Sequence, residues 1–214
     1  MDRKTRKRSS SLINLKKLIY LISQKTIYSG FYTDLKEVLK TKKIKFFQLR
    51  LKKTSKNKTI KIAKKIKKIT KIYKIKFLIN DSFEIAKIVG ADGCHLGQLD
   101  GSVIEAKKTL KNRIIGVTCH NSKSLAEKAI KDKANYVAFG SFGKSLLKPN
   151  AEKADLKILK WAKKNINKPI IAIGGINNSN YNKLIKAGAN YIAISSYIWD
   201  NPSLKPGLAI KKFK

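Results

Sequence analysis

Two cysteines in 214 residues are too few for a disulfide framework, and Cys94 and Cys119 stand in separate apolar runs without metal-site spacing. Both read as reduced core thiols of a cytoplasmic protein. Long apolar runs are also missing: no stretch approaches the roughly 20 residues that a membrane-spanning helix needs. The start, "MDRKTRKRSSSLINLKK", is basic and has no apolar segment long enough for a secretory signal. Residues 1–15, with Arg3, Arg6 and Arg8, are therefore expected to be a frayed extension or a weak anion-binding arm ahead of one domain over 16–214. Acidic residues are scarce, 13 Asp plus Glu against 49 Lys plus Arg, for a net charge of +36. Such a balance ordinarily points to nucleic acid or an anionic membrane. Arginine is scarce as well: beyond residue 8 it occurs only at Arg50 and Arg113. The rest of the positive charge is lysine spread through every segment. In "KIAKKIKKITKIYKIK", Ile62, Ile66, Ile69 and Ile72 recur at helical spacing, which predicts an amphipathic helix with lysines facing solvent. The 43% hydrophobic content suffices for a packed core and excludes a disordered chain.

Short β-branched runs alternate with longer amphipathic ones along the rest of the chain. Strands are expected at 18–22, 46–51, 77–80, 93–97, 114–119, 136–141, 170–175 and 191–196. Helices are expected at 34–42, 59–74, 83–89, 103–110, 122–131, 154–164 and 179–187, with a short one after Pro206. Eight β-then-α units predict a parallel sheet closed into a single-domain (β/α)8 barrel, since an open doubly wound sheet needs only about five. Gly90 and Gly188 each follow a helix and precede a strand, as left-handed helix caps do.

In such a barrel the reactive face lies at the carboxyl ends of the strands. There the sequence places Gln48, Arg50 and Lys52, then Asn80 and Asp81, His95, Gln98 and Asp100, Thr118 and His120, Ser145 and Lys148, Gly174 and Gly175, and Ser195 and Ser196. In "FFQLRLKK", strand alternation puts Gln48, Arg50 and Lys52 on one face and Phe47, Leu49 and Leu51 on the other. With the apolar set against the helices, the polar set points into the barrel, where an unpaired cation is costly. Two partners fit: a bracing network with Asp81 or Asp100, or a phosphate or pyrophosphate. Asp81 and Asp100 beside a phosphate site are the donors that Mg²⁺ favours. Backbone amides around Gly175, Ser195 and Ser196 match the phosphate pocket that many barrels carry after their last two strands. His95 alternates with apolar neighbours and reads as structural.

"QLRLK", "LINDS", "ADGCHLGQLD", "IIGVTCHNS", "YVAFGSF" and "IAIGGIN…AGANYIAISS", in this order from about Leu18 to the end, resemble the thiamine phosphate synthase family, in a proteobacterial-type branch. The resemblance implies a Mg²⁺-dependent transferase. It would join 4-amino-2-methyl-5-hydroxymethylpyrimidine diphosphate to a thiazole phosphate after dissociative loss of pyrophosphate. It further implies Arg50, Lys52, Asn80 and Lys148 on the diphosphate and Asp81 and Asp100 on the metal. Gln48 would accompany the pyrimidine, Thr118 and Ser145 would supply hydroxyls, and Gly175, Ser195 and Ser196 would bind the thiazole phosphate. The implied partners are these small molecules, with no specific nucleic acid and no membrane; a homo-oligomer is allowed.

One departure from the family stands out. The usual Thr-x-Thr-Lys run corresponds to Ser145-Leu146-Leu147-Lys148, in which Leu147 cannot donate a hydrogen bond. A neutral hydrogen bond is worth about 1 kcal/mol, or several-fold in binding. Leu147→Thr is expected to raise the coupling rate by about that factor, and an unchanged rate counts against this alignment of the loop. Two alternatives remain: a thiazole tautomerase-like isomerase of the same fold, and a degenerate barrel that binds nucleic acid through its lysine surface. Retention of Gln48, Arg50, Lys52, Asp81, Asp100 and Lys148 argues against the isomerase, which does not need the diphosphate machinery.

Overall fold

The computed structural model describes residues 18–143 and 153–214. Eight parallel strands close into a barrel in chain order. They are β1 (Ile19–Ile22), β2 (Ile44–Leu49), β3 (Lys76–Asn80), β4 (Gly93–Leu96), β5 (Ile114–His120), β6 (Tyr136–Phe139), β7 (Ile170–Ile173) and β8 (Tyr191–Ile194). Between them lie α1 (Phe31–Lys40), α2 (Lys56–Ile72), α3 (Phe83–Val89), α4 (Val103–Leu110), α5 (Lys123–Lys131), α6 (Leu156–Asn165) and α7 (Tyr181–Ala187). Two short helices, α8 (Ser196–Trp199) and α9 (Pro206–Ala209), follow β8. The expected (β/α)8 barrel is thus present. Several strands end earlier than expected: β2 stops at Leu49, starting two residues earlier as well, and β8 stops at Ile194, and Ser196 opens α8, a helix that the sequence reading did not anticipate.

Strand alternation divides the core in two. Phe47, Leu49, Phe77, Ile79 and their counterparts pack outward against the helices. Tyr20, Ile22, Phe46, Leu78, Tyr136, Ala138, Ile171 and Ala193 fill the barrel itself. Gly116 on β5 makes room for one of them, because a Cβ there would lie 1.8 Å from the Tyr136 ring. Cys94 and Cys119 are fully buried, and burial pushes both thiols up to about 12, as expected of inert core groups. In α2, Ala63, Ile66 and Ile69 are buried, while Ile72 is 74% exposed, contrary to the expected stripe. At 100° per residue Ile72 stands about 120° around the helix from Ile66, outside the arc that the barrel covers.

Four helices end in the same hydrogen-bonded cap. After α3 and α7 the left-handed residue is Gly90 (φ 63°) or Gly188 (φ 126°), as expected. After α2 and α5 it is Lys74 (φ 54°) or Lys133 (φ 70°). The Ile75 amide donates to the Thr70 carbonyl at 2.9 Å and the Ala134 amide to that of Ala129 at 2.9 Å. An L-residue in this conformation loses roughly 1–2 kcal/mol, partly offset by the greater chain entropy of glycine. Lys74→Gly is therefore expected to stabilise the protein by about 0.5–1 kcal/mol, read as a higher denaturation midpoint; a lower midpoint contradicts the cap assignment. The next residue but one after three of these caps is Asp92, Asn135 or Asn190. Its side-chain oxygen accepts from the amide of Phe77, Ile115 or Ile170, at 3.0, 2.9 and 2.8 Å. Each clip fixes the start of the neighbouring strand and, with it, the height at which that strand's end reaches the mouth.

Candidate active site

Gln48, near the end of β2, is buried inside the barrel, and its amide donates to the Asn80 side-chain oxygen at the end of β3. Beyond Leu49 the chain leaves the sheet, so Arg50 and Lys52 project from a turn instead of from a strand. Ser23, fully buried at the end of β1, holds that turn: its amide donates to the Gln48 carbonyl at 2.9 Å, and its Oγ accepts from the Arg50 amide at 2.8 Å. The sequence reading overlooked Ser23, although it carries the same signal, a polar residue ending an apolar run. The Arg50 guanidinium is partly buried, and its Nη1 is buried with no hydrogen-bond partner among the described residues. Burial lowers the Arg50 pKa, against the opposing pull of Asp81. Lys52 turns to the rim, 45% exposed, with Nζ 2.6 Å from Asp81 Oδ2. Of the two partners that the sequence leaves open, the bracing pair therefore exists for Lys52, while Arg50 makes no ion pair among the described residues.

Asp81 follows β3 in the left-handed region (φ 69°), and its amide donates to the His95 carbonyl at 2.8 Å. Asp100 lies in the turn between β4 and α4, where its Oδ2 accepts from the Gly97 amide at 2.7 Å. Burial holds the Asp100 pKa above the ordinary carboxylate value; the Gly97 amide opposes this, and a hydrogen bond and charge contact with Asp81 add to it. Two carboxylates that repel are thus held against each other. Among the described residues they form a pair, since no group of three or more His, Cys, Asp or Glu could hold a metal.

Across the mouth, β7 is followed by Gly174 (φ 96°) and Gly175 (φ 60°). A Cβ on Gly174 would lie 2.1 Å from Ser141 Oγ, so this turn admits no side chain without rearrangement. Asn180 anchors it by donating to the Gly175 carbonyl at 2.8 Å. The Ser195 hydroxyl donates to the Ser23 carbonyl at 3.1 Å, tying the end of β8 to that of β1; the strand ends two residues earlier than expected. Ser196 is half-buried in the first turn of α8. Thr118 on β5 is half-buried, with Oγ1 2.8 Å from His95 Nε2. His95 is buried, as expected, and His120 ends β5 with φ 50°. Ser145, Leu147 and Lys148 lie outside the described residues, as does the basic extension.

At the carboxyl ends of the parallel strands the described residues bring together a partly buried guanidinium, a carboxylate pair and a glycine turn, the end at which a (β/α)8-barrel enzyme carries its active site. The family model described as thiamine monophosphate synthase matches residues 19–198. A thiamine-phosphate synthase of Pelagibacter ubique (strain HTCC1062) is 55% identical over 201 residues, covering 93% of this chain and 97% of that protein. One of Erythrobacter litoralis (strain HTCC2594) is 39% identical over 85% of this chain and 87% of its own length. Among solved structures, the thiamine phosphate pyrophosphorylase of Pyrococcus furiosus superposes with a TM-score of 0.83 at 27% identity, covering 94% of each chain. The chain belongs to the thiamine monophosphate synthase family and, with it, to the transferases of thiamine biosynthesis. No helix among the described residues is long and apolar enough to cross a membrane.

Proposed function

We propose that the chain joins 4-amino-2-methyl-5-hydroxymethylpyrimidine diphosphate to a thiazole phosphate, releasing pyrophosphate. The observation that carries this reading is the buried Nη1 of Arg50 at the mouth, without a hydrogen-bond partner among the described residues and next to Lys52 and the carboxylate pair. A buried donor on a charged group left without an acceptor costs stability, and a diphosphate oxygen supplies one. Arg50, Lys52, Asn80 and Lys148 would hold the diphosphate, with Gln48 bonded to Asn80 beneath the pyrimidine. Gly175, Ser195 and Ser196 would receive the thiazole phosphate through their turns, with Ser145 and Thr118 supplying hydroxyls. The donors also fit Mg²⁺: Asp81 and Asp100 are neighbouring carboxylates, close enough to influence each other's ionisation, and would hold the ion through hard oxygens beside the diphosphate. When bound, the ion would neutralise charge on the diphosphate oxygens.

The family resemblance implies a dissociative path. The carbon–oxygen bond between the pyrimidine methylene and the diphosphate breaks, the electron pair leaves with pyrophosphate, and the thiazole nitrogen closes the new carbon–nitrogen bond. The chain's own residues then have two tasks. Arg50 and Lys52 stabilise charge growing on the leaving group, and the rigid strand ends keep the thiazole nitrogen in line with the methylene carbon. This division calls for no general base, in keeping with the buried, hydrogen-bonded His95.

Pyrophosphate binding tests the reading without turnover. Calorimetric titration should show pyrophosphate bound together with Mg²⁺, and binding should be strongly weakened in Arg50→Met. Equal binding by both proteins would contradict it. A lysine-surface polyanion binder would instead keep its affinity in Arg50→Met and lose it steeply with added salt.

A further inference from the structure

The barrel interior holds a chain of hydrogen bonds whose three buried members, Tyr20, Tyr136 and His95, have no part in the reaction described above. The hydroxyls of Tyr20 and Tyr136 are 2.8 Å apart, the Tyr136 hydroxyl is 2.8 Å from His95 Nδ1, and His95 Nε2 is 2.8 Å from Thr118 Oγ1. The chain thus runs from the barrel's buried centre to its mouth. It spans β1, β6, β4 and β5, and its first three members are at most 6% exposed. The His95 and Tyr136 rings stack at 5.7 Å with an interplanar angle of 16°. Desolvation holds both phenols well above their ordinary pKa, so each carries a proton to donate.

Counting hydrogens gives the chain a direction. A neutral imidazole has one donor and one acceptor nitrogen. If Thr118 donated to Nε2, Nδ1–H would donate to Tyr136, Tyr136 to Tyr20, and the Tyr20 hydrogen would be left with no acceptor among the described residues, 1% exposed. An imidazolium would orphan the same hydrogen and bury a charge as well. In the opposite direction Tyr20 donates to Tyr136, Tyr136 to Nδ1, and Nε2–H to Thr118 Oγ1, so that every buried hydrogen is satisfied. Leaving a buried donor unpaired costs about 1–3 kcal/mol, enough to select this direction. The Thr118 hydroxyl, at the half-buried end, is then the only member whose hydrogen remains available.

We propose that His95 is a positioning residue: Tyr20 and Tyr136 hold it as the neutral Nε2-protonated tautomer, and it turns the Thr118 hydroxyl hydrogen into the mouth as a donor to the departing diphosphate. The proposal rests on the reading above that Thr118 belongs to the substrate site. A histidine that merely filled the core would not require one tautomer or act through Thr118.

Two measurements test it. In the full-length protein, long-range ¹H–¹⁵N correlation of the His95 ring should show the neutral Nε2-protonated form; the Nδ1-protonated form or an imidazolium overturns the proposal. In a double-mutant cycle, Tyr136→Phe should lower kcat about five- to tenfold with little change in KM, the loss expected from one misdirected hydrogen bond. In the Thr118→Ala background the same change should cost less than about twofold, because the group through which it acts is gone. Equal losses in both backgrounds mean a purely structural role and overturn the proposal. Thr118→Ala with parental turnover overturns it too, while pyrophosphate binding that depends on Arg50 would leave the proposed function standing.

Discussion

Arg50→Met should lower pyrophosphate-releasing turnover by about 10²–10³-fold, the loss seen when one preorganised donor to a developing anion is removed. It should at the same time raise the stability of the unliganded protein by about 1 kcal/mol, because a partly buried cation whose Nη1 has no partner among the described residues is replaced by an apolar side chain of similar length. The two effects have one cause. The cost of burying Arg50 is accepted in the free protein and recovered when an anion binds. Its neighbour behaves differently, since Lys52 is already compensated by Asp81 at 2.6 Å and is nearly half exposed. Chemical denaturation and a turnover assay on the same preparation check both signs. A variant that is less stable and fully active would mean that Arg50 is a bracing residue.

Gly116→Ala should strongly destabilise the barrel. The added methyl group would sit 1.8–2.3 Å from three atoms of the Tyr136 ring, whose hydroxyl Tyr20 and His95 hold by hydrogen bonds. Overpacking of this kind costs about 3 kcal/mol. Tyr136 would have to leave its hydrogen bonds, so turnover should fall along with stability. A thermal midpoint equal to that of the parent would show that the inner core is looser than these distances imply.

The barrel was legible because its eight units repeat one pattern, and each repeat supports the others. The β-branched runs, the glycine caps at Gly90 and Gly188 and the polar strand ends all point to the same closure. The site was legible where strand alternation governs, as at Gln48, which lies inside the barrel and meets Asn80. It was less legible where the chain leaves the sheet. Lys52 and Ser195 lie beyond the last strand residues, where alternation no longer sets direction, and nearby partners, Asp81 and the Ser23 carbonyl, decide instead. Ser23 carries the strand-end signal, a polar residue closing an apolar run, but its role of receiving and donating backbone bonds between β1, β2 and β8 is one that composition and spacing do not encode. The lysines at left-handed caps, Lys74 and Lys133, were hidden for a related reason: the expected glycine is absent, and only the chain reversal between helix and strand demands the conformation.

The most direct measurement of the central claim is pyrophosphate release when the purified chain is given both substrates with Mg²⁺. The parent protein should release pyrophosphate in step with thiamine phosphate formation, and Asp100→Ala should not, because one of the two carboxylates proposed to hold the ion is gone. Release by Asp100→Ala at the parental rate, or release by neither protein, would contradict the assignment of this barrel mouth as a metal-assisted diphosphate site.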